Sequence, residues 1–307
     1  MSDKLIVVTP AGREHYLELL AHYVLRDPAV QEWQLWDNCR RESDRAYLQR
    51  LAQRDARIRV VTIANPDGTN KSVNRFYRYC DDAQAFYIKV DDDVVFIEDG
   101  ALGRLHQAAL AQRSAAQAQG LPGPLWWSAM VVNNAVCAWL LKYHSQVELP
   151  EELSCQAAHA VGWGSPFFAQ RLHERFLAHA ADGRLSAFKV PDFPVSLSRF
   201  SINCLGYFGA DVIALGERFC PPEVDDEEWL SAVLPSLTGR SGAIVGDALV
   251  SHFAFYTQEQ DLLRNGVLER YYALAGLRTP AYPVKPLSLR RKVKRWWQSR
   301  NGADPRV

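Results

Sequence analysis

Short apolar runs alternate with amphipathic stretches along the first 95 residues. Lys4 to Thr9 (KLIVVT) is apolar and rich in β-branched residues, and Pro10 ends it, which predicts a first strand. Between Arg13 and Leu25 the apolar residues Tyr16, Leu19, Leu20, Tyr23 and Val24 recur at the helical period. Trp33 to Trp36 predicts a second strand, stopped by Asp37-Asn38, and Glu42 to Ala52 a second helix. Ile58 to Ile63 predicts a third strand, closed by the turn sequence Asn65-Pro66-Asp67-Gly68. Ser72 to Cys80 reads as helical, and Ala85 to Val90 as a fourth strand ending in Asp91-Asp92-Asp93. Such alternation predicts crossover connections and a mainly parallel sheet. In open sheets of this kind ligands gather outside the carboxyl ends of the strands. Thr9-Pro10, Asp37-Asn38, Asn65 and Asp91 to Asp93 all fall at such ends.

The rest of the chain is patterned less regularly. Gly100 to Gln119 predicts a helix and Leu125 to Val132 a strand. Lys142 to Ser198 reads as irregular, with aromatics in Gly162-Trp163-Gly164-Ser165-Pro166-Phe167-Phe168. An apolar segment from Phe208 to Leu215, an acidic stretch from Glu223 to Glu228, and a strand from Ala243 to Val250 carrying Gly246-Asp247 follow. The longest apolar run, Gly123 to Leu141, is interrupted by Asn133 and Asn134. Two amides there would be costly in lipid, so the run predicts a buried strand and its surroundings, not a membrane span.

Composition narrows the function classes. The 307 residues carry 35 acidic and 35 basic side chains, 48% hydrophobic and 23% charged residues. That balance fits one large or two small folded domains and excludes disorder, collagen and coiled coil. A net charge of zero argues against a nucleic-acid partner. The start, MSDKLIVVTP, predicts no cleaved leader, and the six cysteines contain no CxxC pair, so reduced thiols and a cytoplasmic location are expected. From Lys285 to Arg300 there are seven basic residues and no acidic one, with Trp296 and Trp297 among them. Such a tail suits either peripheral contact with the inner face of an anionic membrane or a solvated helix end.

Three clusters can carry chemistry. Carboxylates two residues apart, as in Asp91-Asp92-Asp93, can share one hard divalent cation at a strand end. Mn²⁺ or Mg²⁺ held there keeps positions open for phosphate oxygens and neutralises charge on a departing diphosphate. His252, just past the last predicted strand, is either a further metal ligand or a satisfied core histidine. Asp225-Asp226-Glu227-Glu228 suits a helix N-terminus, and one of its acids can also serve as a general base.

Together these features resemble the GT-A-type glycosyltransferases, in particular inverting, family 2-like enzymes. The likeness is carried by the first strand with Thr9-Pro10, Asp37-Asn38, Asn74-Arg75, Tyr87 to Asp93, Asp225 to Leu230 and His252. It spans roughly residues 4 to 260. It implies an α/β, Rossmann-like fold with a mainly parallel central sheet flanked by helices. Residues 1–284 would form the catalytic domain, with 1–95 as the nucleotide-sugar half and 96–284 as the acceptor half. An acceptor-side insertion would lie between Asp93 and Asp226, and residues 285–307 would form a basic helical tail. Asp91 and Asp93 would be the metal pair, joined by His252, and Asp91 and Asp92 would also face the donor. Thr9 and Pro10 would line the base pocket, Asp37 would read the base, and Lys71 and Asn74 would form the ribose or phosphate wall. Asp226 would be the catalytic base, with Glu227 as the alternative. The donor implied is a nucleotide-diphosphate sugar, a UDP-sugar above all, and the acceptor a glycan or lipid-linked glycan.

The acidic motif departs from the family's commoner Glu-Asp by reading Asp-Asp. Two other readings stand beside the resemblance. A nucleotidyltransferase would normally show a Gly-rich loop after the first strand, where this chain has only Gly12 in Pro10-Ala11-Gly12-Arg13. An inert carbohydrate- or nucleotide-binding module could use Trp126, Trp127, Trp163 and Trp229 to stack on sugars, although such aromatics are more often core.

Overall fold

The computed structural model describes residues 4–286, residue 197 excepted. The basic tail therefore lies outside the described residues, apart from its first two positions. The first half runs β1 (Lys4–Ala11), α1 (Glu14–Val24), β2 (Val30–Asp37), α2 (Glu42–Ala52), β3 (Ile58–Val61), α3 (Asn70–Asn74) and β4 (Ala85–Val90). There follow β5 (Val94–Ile97), α4 (Ala101–Ala118), β6 (Trp126–Val132), α5 (Ala135–His144), α6 (Pro166–Ala181), β7 (Phe193–Val195), β8 (Cys204–Phe208) and α7 (Gly209–Leu215). The last described elements are α8 (Asp226–Glu228), a π-helical turn (Trp229–Val233), α9 (Leu234–Thr238), β9 (Gly242–His252), α10 (Glu259–Arg264) and α11 (Val267–Leu274).

All strands among the described residues join one sheet in the order β3-β2-β1-β4-β8-β6-β9-β5, with β7 paired to β9. β1 pairs in parallel with β2 and β4, β2 with β3, and β6 with β9. β8 runs antiparallel between β4 and β6, so β6 and β9 regain the direction of the first four strands. This is the mostly parallel, helix-flanked α/β sheet that the resemblance implies. Strands covered on both faces need apolar residues at successive positions, not alternate ones. β4 and β6 are buried at every residue, and β1 at all but Lys4 and Pro10.

Two parts of the second half differ from expectation. The stretch read as irregular contains the 16-residue α6. Ser165 caps it by accepting a hydrogen bond from the Phe168 amide, Pro166 occupies its first turn, and Phe168, Leu172, Phe176 and their neighbours bury one face. The Phe208 to Leu215 segment is split: Phe208 ends β8 and the remainder is α7. Gly209 makes the turn, because a Cβ there would lie 2.1 Å from the Asp82 carbonyl oxygen. Within β9 the pairing with β6 jumps from Val245 to Leu249, a bulge at the Gly246-Asp247 pair. The bulge divides β9, so that its first part holds β7 and its last part holds β5.

The two asparagines that interrupt the apolar run end β6 and start α5. Asn134 caps α5 by accepting from the amides of Val136 and Cys137, at 3.1 and 3.3 Å. A cap of this kind is worth about 1 kcal/mol. Among the described residues no helix is long and apolar enough to cross a membrane.

Candidate active site

A cavity of about 490 Å³ opens where β1, β4 and β9 end, in the size range of small-molecule sites. Pro10, Asp91, Asp92, Asp93, Asp226, Glu227 and His252 line it, joined by Gly12, Arg13, Asn38, Arg40, Lys89, Asn203, Tyr256 and Glu259. Acids from three separate segments, Asp91 to Asp93, Asp226-Glu227 and Glu259, therefore face one space.

Each of the three acids after β4 has its own partners. Asp91 turns one oxygen to Lys89 Nζ at 2.5 Å and the other to Asn203 Nδ2 at 3.3 Å. Asp92 accepts from the Gly12 amide at 3.1 Å and from the Arg13 guanidinium. Asp93 lies 2.9 Å from Arg13 Nη2 and 3.6 Å from His252 Nε2. Burial pushes the Asp92 carboxyl up, to about 6, and the neighbouring Asp93 adds to this against the pull of Arg13. Burial presses on Asp93 as well, but Arg13 and His252 outweigh it and hold that carboxyl well below the usual range.

His252 is aimed by its backbone surroundings. Its Nδ1 donates to the Asn133 carbonyl oxygen at 3.2 Å, which leaves Nε2 to face Asp93. Asn133 itself sits in the left-handed region, with φ of 64°, where few side chains other than asparagine are tolerated. Its amide donates to the Phe253 carbonyl and to Gln258 Oε1, at 2.9 and 3.0 Å. Strained backbone locked by two buried hydrogen bonds thus sets the direction of the imidazole.

The second acidic segment is sorted differently. Asp225 caps α8, accepting from the Glu228 amide at 2.9 Å, and pairs with Arg199. Glu227 is held by Arg199 Nε at 2.7 Å. Asp226 is buried, with 6% exposure, and among the described residues its carboxylate makes no hydrogen bond. Burial raises it to about 6, opposed by Lys89 and assisted by Asp91. Lys89 is itself buried and reaches the Ile202 carbonyl at 3.2 Å. Its ammonium is the positive charge between the two acidic clusters.

Four expected site residues do not line the cavity. Thr9 is fully buried and accepts from Trp33 Nε1 at 3.0 Å. Asp37 binds Arg45 Nε at 2.8 Å and the Cys39 amide at 3.2 Å, and so shapes the loop that carries Asn38 and Arg40. Asn74 donates to the carbonyls of Pro221 and Val224, both at 2.9 Å, and so pins the segment leading to Asp225. Lys71 is exposed and lies 3.4 Å from Glu223. Sequence reasoning passed over Arg13 and Glu259. Arg13 stands just beyond the carboxyl end of β1, the kind of position singled out for other residues, whereas Glu259 reaches Arg13 Nη1 at 3.1 Å through tertiary packing alone.

The donor set bears on a cation. Among the described residues no group of three His, Cys, Asp or Glu side chains encloses one. Asp93 and His252 together offer a carboxylate oxygen and an imidazole nitrogen, which would leave further positions of a cation open to substrate or water. The oxygens of Asp91 are directed to Lys89 and Asn203 instead.

The site is thus an acid-rich cavity at the strand ends of a mostly parallel α/β sheet. No family model and no curated protein matches the sequence. Solved structures similar to it include a mannosyltransferase from Pyrobaculum calidifontis in complex with GDP-Man and Mn²⁺, at 11% identity and a TM-score of 0.48, covering 92% of this chain and 66% of that one, just under two thirds of its length. Glucosyl-3-phosphoglycerate synthase from Mycobacterium tuberculosis, in complex with Mn²⁺, UDP and glucosyl-3-phosphoglycerate, is similar at 12% identity and a TM-score of 0.44, covering 94% of this chain and 88% of that one. 4-Diphosphocytidyl-2C-methyl-D-erythritol synthase from Anaerococcus prevotii is similar at 12% identity and a TM-score of 0.43, covering 87% and 97%.

Proposed function

We propose that this protein transfers a sugar from a nucleotide-diphosphate sugar to a hydroxyl of a glycan acceptor, with inversion. The observation that carries the reading is Asp226: a buried carboxylate with no hydrogen bond among the described residues, facing the cavity that Asp93 and His252 also line. A carboxylate kept from water and left without a partner is poised to accept a proton. Asp226 takes the proton of the acceptor hydroxyl as that oxygen attacks the anomeric carbon. The bond from that carbon to the diphosphate breaks, and the nucleoside diphosphate leaves.

Asp93 and His252 would hold a divalent cation, Mn²⁺ or Mg²⁺, which when bound neutralises the charge of the leaving diphosphate. Arg13, between Asp92, Asp93 and Glu259, adds a guanidinium to the same region. The nucleoside would lie toward Pro10, Asn38, Arg40 and Gly68, where the ends of β1 and β2 meet the turn after β3. Asp37 and Asn74 serve this site indirectly, by fixing the loops on either side of it. The domain halves at residues 1–95 and 96–284 and a cytoplasmic location belong to the same proposal.

The test is nucleoside diphosphate release from a panel of UDP-, GDP- and CDP-sugars with Mn²⁺ or Mg²⁺. Release from one donor, abolished by EDTA and restored by metal, is the expected result. Pyrophosphate release from a nucleoside triphosphate and a sugar phosphate would replace this reading with nucleotidyl transfer. Donor binding without turnover under any condition would replace it with an inert binding module.

A further inference from the structure

The tryptophans that could stack on a sugar have separate fates. Trp126 and Trp127 are fully buried in the sheet. Trp229 donates its Nε1 to the carbonyls of Arg218 and Phe219, both at 3.1 Å. Trp163 is half-buried, and its ring meets Tyr256 edge-on at 5.2 Å. Tyr256 lines the cavity and yet is 79% exposed. A single exposed ring is ordinary on a protein surface, but this one lines the cavity and meets a second aromatic ring.

The pair is also braced. Thr257 Oγ1 and Gln258 Nε2 donate to the Trp163 carbonyl oxygen, at 2.9 and 3.0 Å. Gln258 is fully buried, and its Oε1 accepts from Asn133, the residue that aims His252. The backbone that carries Trp163 is therefore tied to the segment that aims His252.

We propose that Tyr256 and Trp163 form the platform for a pyranose ring of the acceptor, which rests on the glycosyl-transfer reading above. Two rings beside Thr257 and Glu259 make a small apolar patch with polar neighbours. A protein partner would need roughly 1,200–2,000 Å² of interface, far more than two side chains offer. A pyranose has the matching shape, with a C–H face for the rings and hydroxyls for the polar neighbours. A nucleobase also stacks, but the proposed function assigns the nucleoside to Pro10, Asn38 and Arg40.

The probes are the methyl α- and β-pyranosides of glucose, galactose and mannose. Saturation-transfer NMR reads their binding, and transfer kinetics with the identified donor read their KM. Expected is saturable binding of at least one glycoside, weakened tenfold or more by Tyr256→Ala and restored by Tyr256→Phe, which keeps the ring. In transfer, Tyr256→Ala should raise the glycoside KM by a similar factor and change kcat less. No saturable binding of any glycoside to the wild type overturns the platform, as does a Tyr256→Ala variant that binds and transfers like wild type. If wild type turns over a nucleotide sugar while Tyr256→Ala is normal, the platform alone has failed. If no nucleotide sugar is turned over but glycoside binding still depends on the ring, the transferase reading has failed and the sugar platform stands.

Discussion

The two acidic clusters have nearly the same composition and opposite economies of charge. Asp91, Asp92 and Asp93 end a buried strand, and cations reach each of them: Lys89, Arg13, and His252 when protonated. In Asp225 to Glu228 a single guanidinium, Arg199, takes Asp225 and Glu227 and approaches Glu228 at 3.8 Å. Asp226 is turned inward, away from that guanidinium. The first cluster sets a cation in contact with each acid, whereas the second leaves one carboxylate with no contacting cation, only the field of the Lys89 ammonium that pairs with Asp91. Neither role is visible in the count of acids; it depends on which cation each side chain can reach.

Breaking the second cluster at Asp226 should have the largest effect. Asp226→Asn keeps the size and removes the base, so turnover should fall by about 10²–10⁴-fold. Nucleoside diphosphate binding, followed by calorimetry, should survive. Because burial raises Asp226 to about 6, the wild-type kcat/KM should fall as the pH drops through that value, where the base becomes protonated. Asp226→Asn should lose this limb of the profile.

Breaking the first cluster comes next. Asp93→Asn should cost about 10²–10³-fold in turnover, the usual loss when one stabiliser of leaving-group charge is removed. Unlike Asp226→Asn, it should also weaken Mn²⁺ binding in a calorimetric titration. Asn133→Ala should sharpen the point without touching either acid. It removes the two side-chain hydrogen bonds and makes φ of 64° costly, so the imidazole loses its aim. Mn²⁺ affinity should drop by about 10–100-fold, as for other residues that orient a metal-bound histidine. Asn133→Gly, which accepts the same backbone, should lose less.

The same contrast shows what was legible in the sequence. The first four strands and both early helices could be read from periodicity, because each is a local pattern. β5 could not: Val94 to Ile97 follows the acids directly and has no turn signal of its own. α6 is not legible although Ser165-Pro166 is a start signal, since the surrounding glycines and aromatics mask its period. Asp93, Asp226 and His252, which line one cavity, can be singled out in the sequence because each lies beside a recognisable element end. Thr9 and Asp37 lie at such ends too, yet their side chains turn to Trp33 and Arg45 and not to the cavity. A strand end specifies a position, while the face taken by each side chain depends on packing. Arg13, Lys89 and Glu259 matter through partners up to 246 residues away, which no local pattern encodes.

The smallest expected effect is the one that best separates neighbours. Glu227 stands next to Asp226, lines the same cavity, and is the alternative base by sequence. Its carboxylate is bound by Arg199, whose side chain is 42% exposed. An ion pair open to water is worth about 0–1 kcal/mol, so its loss should not disturb the segment greatly. Glu227→Gln should therefore keep turnover within about fivefold of wild type, the kinetic equivalent of ~1 kcal/mol. It should also keep the limb of the pH profile near 6, because Asp226 is untouched. Were Glu227→Gln to abolish turnover and that limb while Asp226→Asn did not, the proton would pass to Glu227. Arg199 would then be the residue that releases the base, not the one that restrains its neighbours.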